Sequence, residues 1–170
     1  LIPMGSVEGA EAVLKQDKSI NVWSPASSLV QDLLVDKWQR EHNADPIESD
    51  AMLALTPMVM VMWQDRYDAF VQKYSEVNFK TIAEALGERT GWAAIADKAE
   101  WGIFTFGHTQ PTHSNSGLLA LVLMAYDYHD LFRGIKAKHV MDEGFLTWME
   151  TVQEGMTADE TSTGNLMKSM

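Results

Sequence analysis

The chain contains no cysteine and few basic residues. The lack of cysteine excludes disulfide bonds and thiolate metal sites. The 13 Lys and Arg residues stand against 24 Asp and Glu residues, which gives a formal net charge of −11. Polyanionic nucleic acid is repelled by such a chain, and the nearest thing to a basic cluster, between Arg133 and His139, is diluted by apolar residues. We therefore expect no nucleic-acid partner.

Long hydrophobic runs are also missing. The longest, near 53–63 and 118–125, fall short of the roughly 20 apolar residues that a membrane helix needs. We expect membrane association only through an anchor or partner outside this chain. No signal-peptide pattern precedes the fold, so any export signal is expected to have been removed or to lie elsewhere. The lack of cysteine is compatible with export.

The hydrophobic content, 46% of 170 residues, is enough to bury a core. Apolar positions with helical spacing predict helices at 7–15, 28–38, 64–74, 81–86, 91–99, 118–128 and 140–156, and one more that begins near 161–163. Runs of β-prone residues predict strands at 19–23, 53–63 and 101–106. This alternation indicates an α/β fold with a mainly parallel sheet.

The run at 53–63 is apolar throughout and shows no alternation with polar residues. Such a run predicts a central strand that is buried on both faces, with Pro57 at its start or at a bend. Met58, Met60 and Met62 alternate along it. Methionine can line adaptable binding surfaces, but packing in a core explains these three residues better.

Two polar loops, at 23–28 and 107–117, are rich in hydroxyl side chains, and a predicted helix follows each of them. In open α/β sheets, ligands bind beyond the carboxyl ends of strands, where helix N-termini direct free N–H groups outward. We expect both loops to lie at one edge of the molecule and to hold an oxyanion or a polar ligand. The simpler alternative is that their serine and asparagine residues only cap helices.

A catalytic or metal-binding reading of the second loop has weaker support. His108 and His113 flank Pro111, but no third zinc ligand of suitable type is nearby. Ser114 or Ser116 beside one of these histidines suggests a serine hydrolase as an alternative, although the glycine–serine–glycine elbow is absent. We expect no catalytic residue, no metal and no cofactor.

Three segments carry a resemblance to a known family: 21–28, 55–63 and 101–118. The most specific is Gly107-His-Thr-Gln-Pro-Thr-His-Ser-Asn-Ser-Gly117. In this order and spacing they resemble the bacterial extracellular solute-binding domains of the type 2 periplasmic-binding-protein fold. The subgroup they resemble is often joined to a von Willebrand factor A domain.

The resemblance implies an α/β fold built of three-layer α/β/α lobes that close on a ligand. Residues 1–51 would form part of a first, incomplete lobe. Residues 52–170 would form the second lobe, with a hinge strand at 53–63. The opening strand of the first lobe would precede Leu1, and its return strands would follow Met170.

The resemblance also implies a function. The chain would be a non-catalytic solute-binding domain of an exported protein, located in the periplasm, outside the cell or at its surface, with a von Willebrand factor A domain as a possible partner. A structural domain of the cell surface with a vestigial pocket is the alternative. The ligand-facing positions for a small polar or anionic solute would be Ser6, Ser24, Ser27, Thr56, Ser114, Asn115, Ser116 and Gly117.

Overall fold

The computed structural model describes residues 2–169, and the backbone alone at 157–159. Helices account for most of the ordered structure. They are α1 (Ser6–Leu14), α2 (Ser28–His42), α3 (Gln64–Tyr74), α4 (Phe79–Leu86), α5 (Trp92–Ala96), α6 (Asn115–Tyr128), α7 (Ala137–Val140), α8 (Glu143–Glu154) and α9 (Thr163–Ser169), with a 3-10 turn at Ala99–Trp101. Strands β1 (Phe106–Thr109) and β2 (Met156–Glu160) pair in parallel. The described residues thus form a mainly helical structure with little strand.

Local side-chain hydrogen bonds fix where several helices begin and end. Asn78 caps α4, because its side chain accepts the N–H of Thr81 at 2.8 Å while Thr81 Oγ1 accepts the N–H of Asn78 at 3.0 Å. Asp142 caps α8 by accepting the N–H of Phe145 at 2.9 Å. Helix α2 ends at His42, and the next residue, Asn43, is its C-cap with a φ of 52°, a left-handed conformation that asparagine tolerates.

The core consists of three clusters of buried side chains. The α3–α5 cluster contains Phe70, Ile82, Ala85, Trp92, Ile95 and Phe104. The α4–α8 cluster contains Phe79, Ala120, Met124 and Val152, and the α1–α2 cluster contains Ala10, Val30 and Leu34. Helix α6 joins the last two, because it supplies Ala120 and Met124 to one and packs Leu118 against the other.

Most of the predicted helices are confirmed, whereas none of the three predicted strands forms over its predicted residues. Residues 19–23 form no strand, and Trp23 instead packs beside Gly9 of α1. The strand predicted at 101–106 begins only at Phe106, since a 3-10 turn occupies its first residue. Both segments are short, and of their residues only Phe106 pairs with another strand.

The prediction of a central buried strand at 53–63 is wrong. These residues form no helix or strand, and Leu53, Leu55 and Val61 are 83%, 83% and 62% exposed. An apolar strand is buried on both faces only where neighbouring strands and covering helices surround it. In the described part of the chain, β1 and β2 pair only with each other, so no such neighbours exist for 53–63. A hinge strand and a three-layer lobe are accordingly not formed by these residues.

Candidate ligand-binding site

The start of α6 lies directly after the loop that leaves β1. Ser114 is its N-cap residue, and the helix begins at Asn115. The N–H of Ser114 donates to the carbonyl of Gln110 at 2.8 Å, and the N–H of Leu118 donates to the carbonyl of Ser114 at 3.1 Å. Asn115, Ser116 and Gly117 therefore belong to the first turn of this helix, which begins three residues earlier than the 118 predicted from apolar spacing.

The first N–H groups of α6 have no protein acceptor. Among the described residues, Asn115, Ser116 and Gly117 donate no backbone hydrogen bond, and the side chain of Ser114 does not cap them. Unsatisfied N–H groups at a helix start carry the positive end of the helix dipole. An anion placed there would accept hydrogen bonds from them.

Four hydroxyl groups meet beside these N–H groups, and we call Thr109, Ser114, Ser116 and Thr163 the hydroxyl cluster. Ser116 Oγ stands at its centre, hydrogen-bonded to Thr109 Oγ1 at 2.8 Å and to Ser114 Oγ and Thr163 Oγ1 at 2.9 Å each. Each hydroxyl has one hydrogen to donate. Since three links use three of the four hydrogens, one hydrogen is not used within the cluster.

The two polar loops singled out by the sequence meet at this place. Ser27 Oγ donates to Asn115 Oδ1 at 2.5 Å, and Asn115 is only 9% exposed. Ser6 Oγ accepts the N–H of Ala26 at 2.9 Å, which ties the first loop to α1. The expected proximity of loops 23–28 and 107–117 is thus confirmed, although no strand precedes the first of them.

Gly117 has a structural role that the sequence reading missed. A Cβ at this position would overlap the carbonyl oxygen of Thr109 and would lie 2.9 Å from the carbonyl carbon of Gln110. The glycine is therefore required because α6 packs closely against the end of β1. This packing accounts for the glycine, and the ligand-facing role that the resemblance implies stays a prediction.

The structure does not bring all predicted ligand positions together. Ser27, Ser114, Asn115, Ser116 and Gly117 adjoin one another. Ser24 is exposed in the first loop, and Thr56 is exposed in the irregular segment before α3. Neither makes a side-chain hydrogen bond in the described part of the chain, and neither is hydrogen-bonded to the other site residues.

Sequence reasoning missed two members of the hydroxyl cluster. Thr109 is only 2% exposed, and Thr163 opens α9 near the end of the chain. The polar run at 161–163 signalled only the start of a helix. Its contact with Ser116 depends on α9 packing against β1 and β2, which no local pattern reveals.

The two histidines of the loop form hydrogen bonds with groups other than the serine hydroxyls. His108 is 5% exposed, with Nδ1 donating to the carbonyl of Thr109 at 2.8 Å, so Nε2 accepts from the Gln153 amide at 3.1 Å. His113 bonds to Thr112 Oγ1 at 2.9 Å. The serine–histidine pairs of the hydrolase alternative are therefore not hydrogen-bonded to each other.

Wider features add no further element to the site. Within the part of the chain that the structure describes, no three potential metal-ligating side chains of His, Asp or Glu are grouped. None of the helices over 2–169 is both long and apolar enough to cross a bilayer. No family model, curated protein or solved structure matches the chain.

Proposed function

We propose that the chain is a non-catalytic binding domain that holds a small anionic or polar solute at the start of α6. The observation that carries the proposal is the set of backbone N–H groups at Asn115, Ser116 and Gly117, which have no protein acceptor. The hydroxyl cluster stands beside them, and Ser27 binds the side chain of Asn115. Donors of both kinds converge on one place, which is what an oxyanion requires.

The proposed site works without a cationic side chain. Loop 107–117 contains no Lys, Arg, Asp or Glu. Neutral donors bind an anion through hydrogen bonds and the helix dipole, and a helix end contributes only about 0.3–1 kcal/mol per charge. We therefore expect modest affinity and a preference for compact oxyanions that accept several hydrogen bonds at once.

The test is calorimetric titration of sulfate, phosphate, molybdate and acetate at constant ionic strength. Removing the central hydroxyl with Ser116→Ala should weaken binding about tenfold, as expected for one hydrogen bond to a charged group. Thr151→Ala is the matched control, because its hydroxyl on α8 donates to the carbonyl of Thr147, far along the chain from the cluster. If no anion binds or raises the melting temperature, the proposal is refuted and these residues only form the start of a helix.

We further propose that the chain belongs to an exported, type 2 periplasmic-binding-like protein, with a von Willebrand factor A domain as a possible partner. Support comes from the order β1, polar loop, α6 and from the parallel pairing of β1 with β2. Fractionation of the cells that make the protein tests the proposed export, because recovery of the chain in the cytoplasm alone would contradict it.

A further inference from the structure

Residues 131–141, which we call the basic loop, carry a local positive charge on a chain whose net charge is −11. Arg133, Lys136 and Lys138 lie within it, three of the 13 basic residues, and it contains no Asp or Glu. All three side chains are exposed, and none of them takes part in an ion pair within the described residues. Their charges are therefore available to a partner.

Apolar side chains protrude among these cations. Phe132 is fully exposed at 102%, and Met141 is 70% exposed. Gly134 turns the chain between them with a φ of 74°, and nothing lies within 4 Å of the position where its Cβ would be. Phe132 thus sits on a projecting turn, and it is not the wall of a groove.

The base of the basic loop is held in place. His129 Nε2 donates to the carbonyl of His139 at 2.8 Å, and His139 Nδ1 accepts the N–H of Lys136 at 3.0 Å. The ring of His129 also packs against Tyr128 and Phe145, with centroids 5.0 and 5.7 Å away. These hydrogen bonds and aromatic contacts anchor the segment that carries the three cations and Phe132.

Two of the three acidic residues at the edges of the basic loop already bind other groups of the protein. Asp130 forms an ion pair with Lys80 at 2.6 Å, and Asp142 accepts the N–H of Phe145 as the cap of α8. Glu143 is exposed in the first turn of α8. The carboxylates therefore border the basic loop without neutralising its three cations.

We infer that the basic loop docks on an anionic lipid surface. Lys and Arg residues near such a surface are attracted to its headgroups, and exposed aromatic side chains insert at the boundary with the acyl chains. A projecting Phe132 suits a deformable lipid interface, whereas a protein partner would need a pocket shaped to receive it. This inference is independent of the proposed anion site at the other end of α6.

The experiment is sedimentation of the whole chain with vesicles of phosphatidylcholine alone or mixed with phosphatidylserine, at low and high salt. We expect salt-sensitive binding only to the mixed vesicles. Replacing Arg133, Lys136 and Lys138 together by Gln should weaken it about a hundredfold, since each cation contributes about fivefold. Some binding should remain at high salt, because salt does not screen the apolar contact of Phe132 with the lipid. Phe132→Ser should remove this remaining binding.

A matched control carries the same change of charge elsewhere. It replaces Lys15, Lys18 and Lys37, which are exposed on or next to α1 and α2, by Gln and should bind vesicles only slightly less well. Circular dichroism and melting temperature establish that every variant is folded. Equal losses in the two triple variants, or binding that does not depend on phosphatidylserine, would overturn the inference. So would binding of polyglutamate through the same cations without any vesicle binding.

Discussion

Gly117 shows how tightly one residue can be constrained by its neighbours. Its replacement by alanine would drive a Cβ into the backbone of Thr109 and Gln110, which cannot move without disturbing β1. We expect Gly117→Ala to lower the free energy of unfolding by about 3 kcal/mol in urea denaturation. Gly164→Ala in α9 is the control, because nothing surrounds that position and alanine favours a helix. Similar stability of the two variants would contradict the proposed packing.

Arg66 stabilises the fold through the plane of its guanidinium group as well as its charge. The guanidinium carbon lies 3.4 Å from the ring centroid of Trp101 and 5.6 Å from that of Trp92. Lysine keeps the charge but cannot stack, so Arg66→Lys should cost about 1 kcal/mol in stability. Urea unfolding followed by tryptophan fluorescence measures this loss. Arg89→Lys, at an exposed position, should change nothing, and an equal loss there would refute the stacking argument.

At the scale of elements, α7 is a pH-sensitive piece of structure. Burial first, and then the charges of Lys138, His129 and Lys136, lower the pKa of His139. Its neutral Nδ1 accepts the N–H of Lys136, and protonation would remove that acceptor. Because the folded pKa lies below the unfolded value, this contribution to stability is present above about pH 6.5 and is lost as the pH falls towards the lowered folded pKa.

Amide hydrogen exchange at Lys136 measures this effect. Protection should decrease as the pH is lowered from neutral, after correction for the intrinsic rate. His139→Gln, whose side chain offers an oxygen acceptor that does not titrate, should make the corrected protection independent of pH. A pH profile that is the same in both proteins would contradict the role given to His139.

The irregular segment before α3 has two distinct faces. Val61 is 62% exposed, whereas the next residue, Met62, packs against the α3–α5 cluster. Val61→Lys should therefore leave the free energy of unfolding within about 0.5 kcal/mol of the original. Met62→Lys should lower it by about 2 kcal/mol, since it places a charge against apolar side chains. Thermal denaturation compares the two variants. Equal effects would contradict the exposure of Val61 and the packing of Met62 against the α3–α5 cluster.

Helical elements could be predicted from the sequence, because each buries a stripe of its own residues. Helix α3 has the predicted bounds, and α6 differs from its prediction only at the polar first turn. Strands could not be predicted as well, because their burial depends on partners elsewhere in the chain. The apolar run at 53–63 indicates a strand on composition alone, yet no strand lies beside it in the described residues.

The candidate site, too, could be predicted from the sequence only in part. The polar loop and the start of α6 could be predicted, since proline, serine and asparagine mark helix starts locally. The partners of that start could not, because Thr163 and Ser27 reach it from distant parts of the chain. Thr56 was chosen by family resemblance, and the exposed segment that carries it places it outside the hydroxyl cluster.

For the whole molecule, the net charge of −11 is the dominant electrostatic property. Like charges repel one another more strongly in the compact state than in the unfolded chain, so screening should stabilise the fold. We expect the melting temperature to rise with sodium chloride and equally with choline chloride. A rise with only one of the two salts would point to binding of a specific ion and contradict the screening account.

Helix α6 joins two otherwise separate regions, with the hydroxyl cluster at its first turn and the basic loop after its last. Its 14 residues span about 21 Å, and its side chains are shared between two core clusters. Ligands bound at the two ends therefore contact regions joined by the same helix, and the effect of each on the affinity of the other is reciprocal. Any factor by which vesicles change the affinity for an oxyanion must equal the factor by which that oxyanion changes the affinity for vesicles.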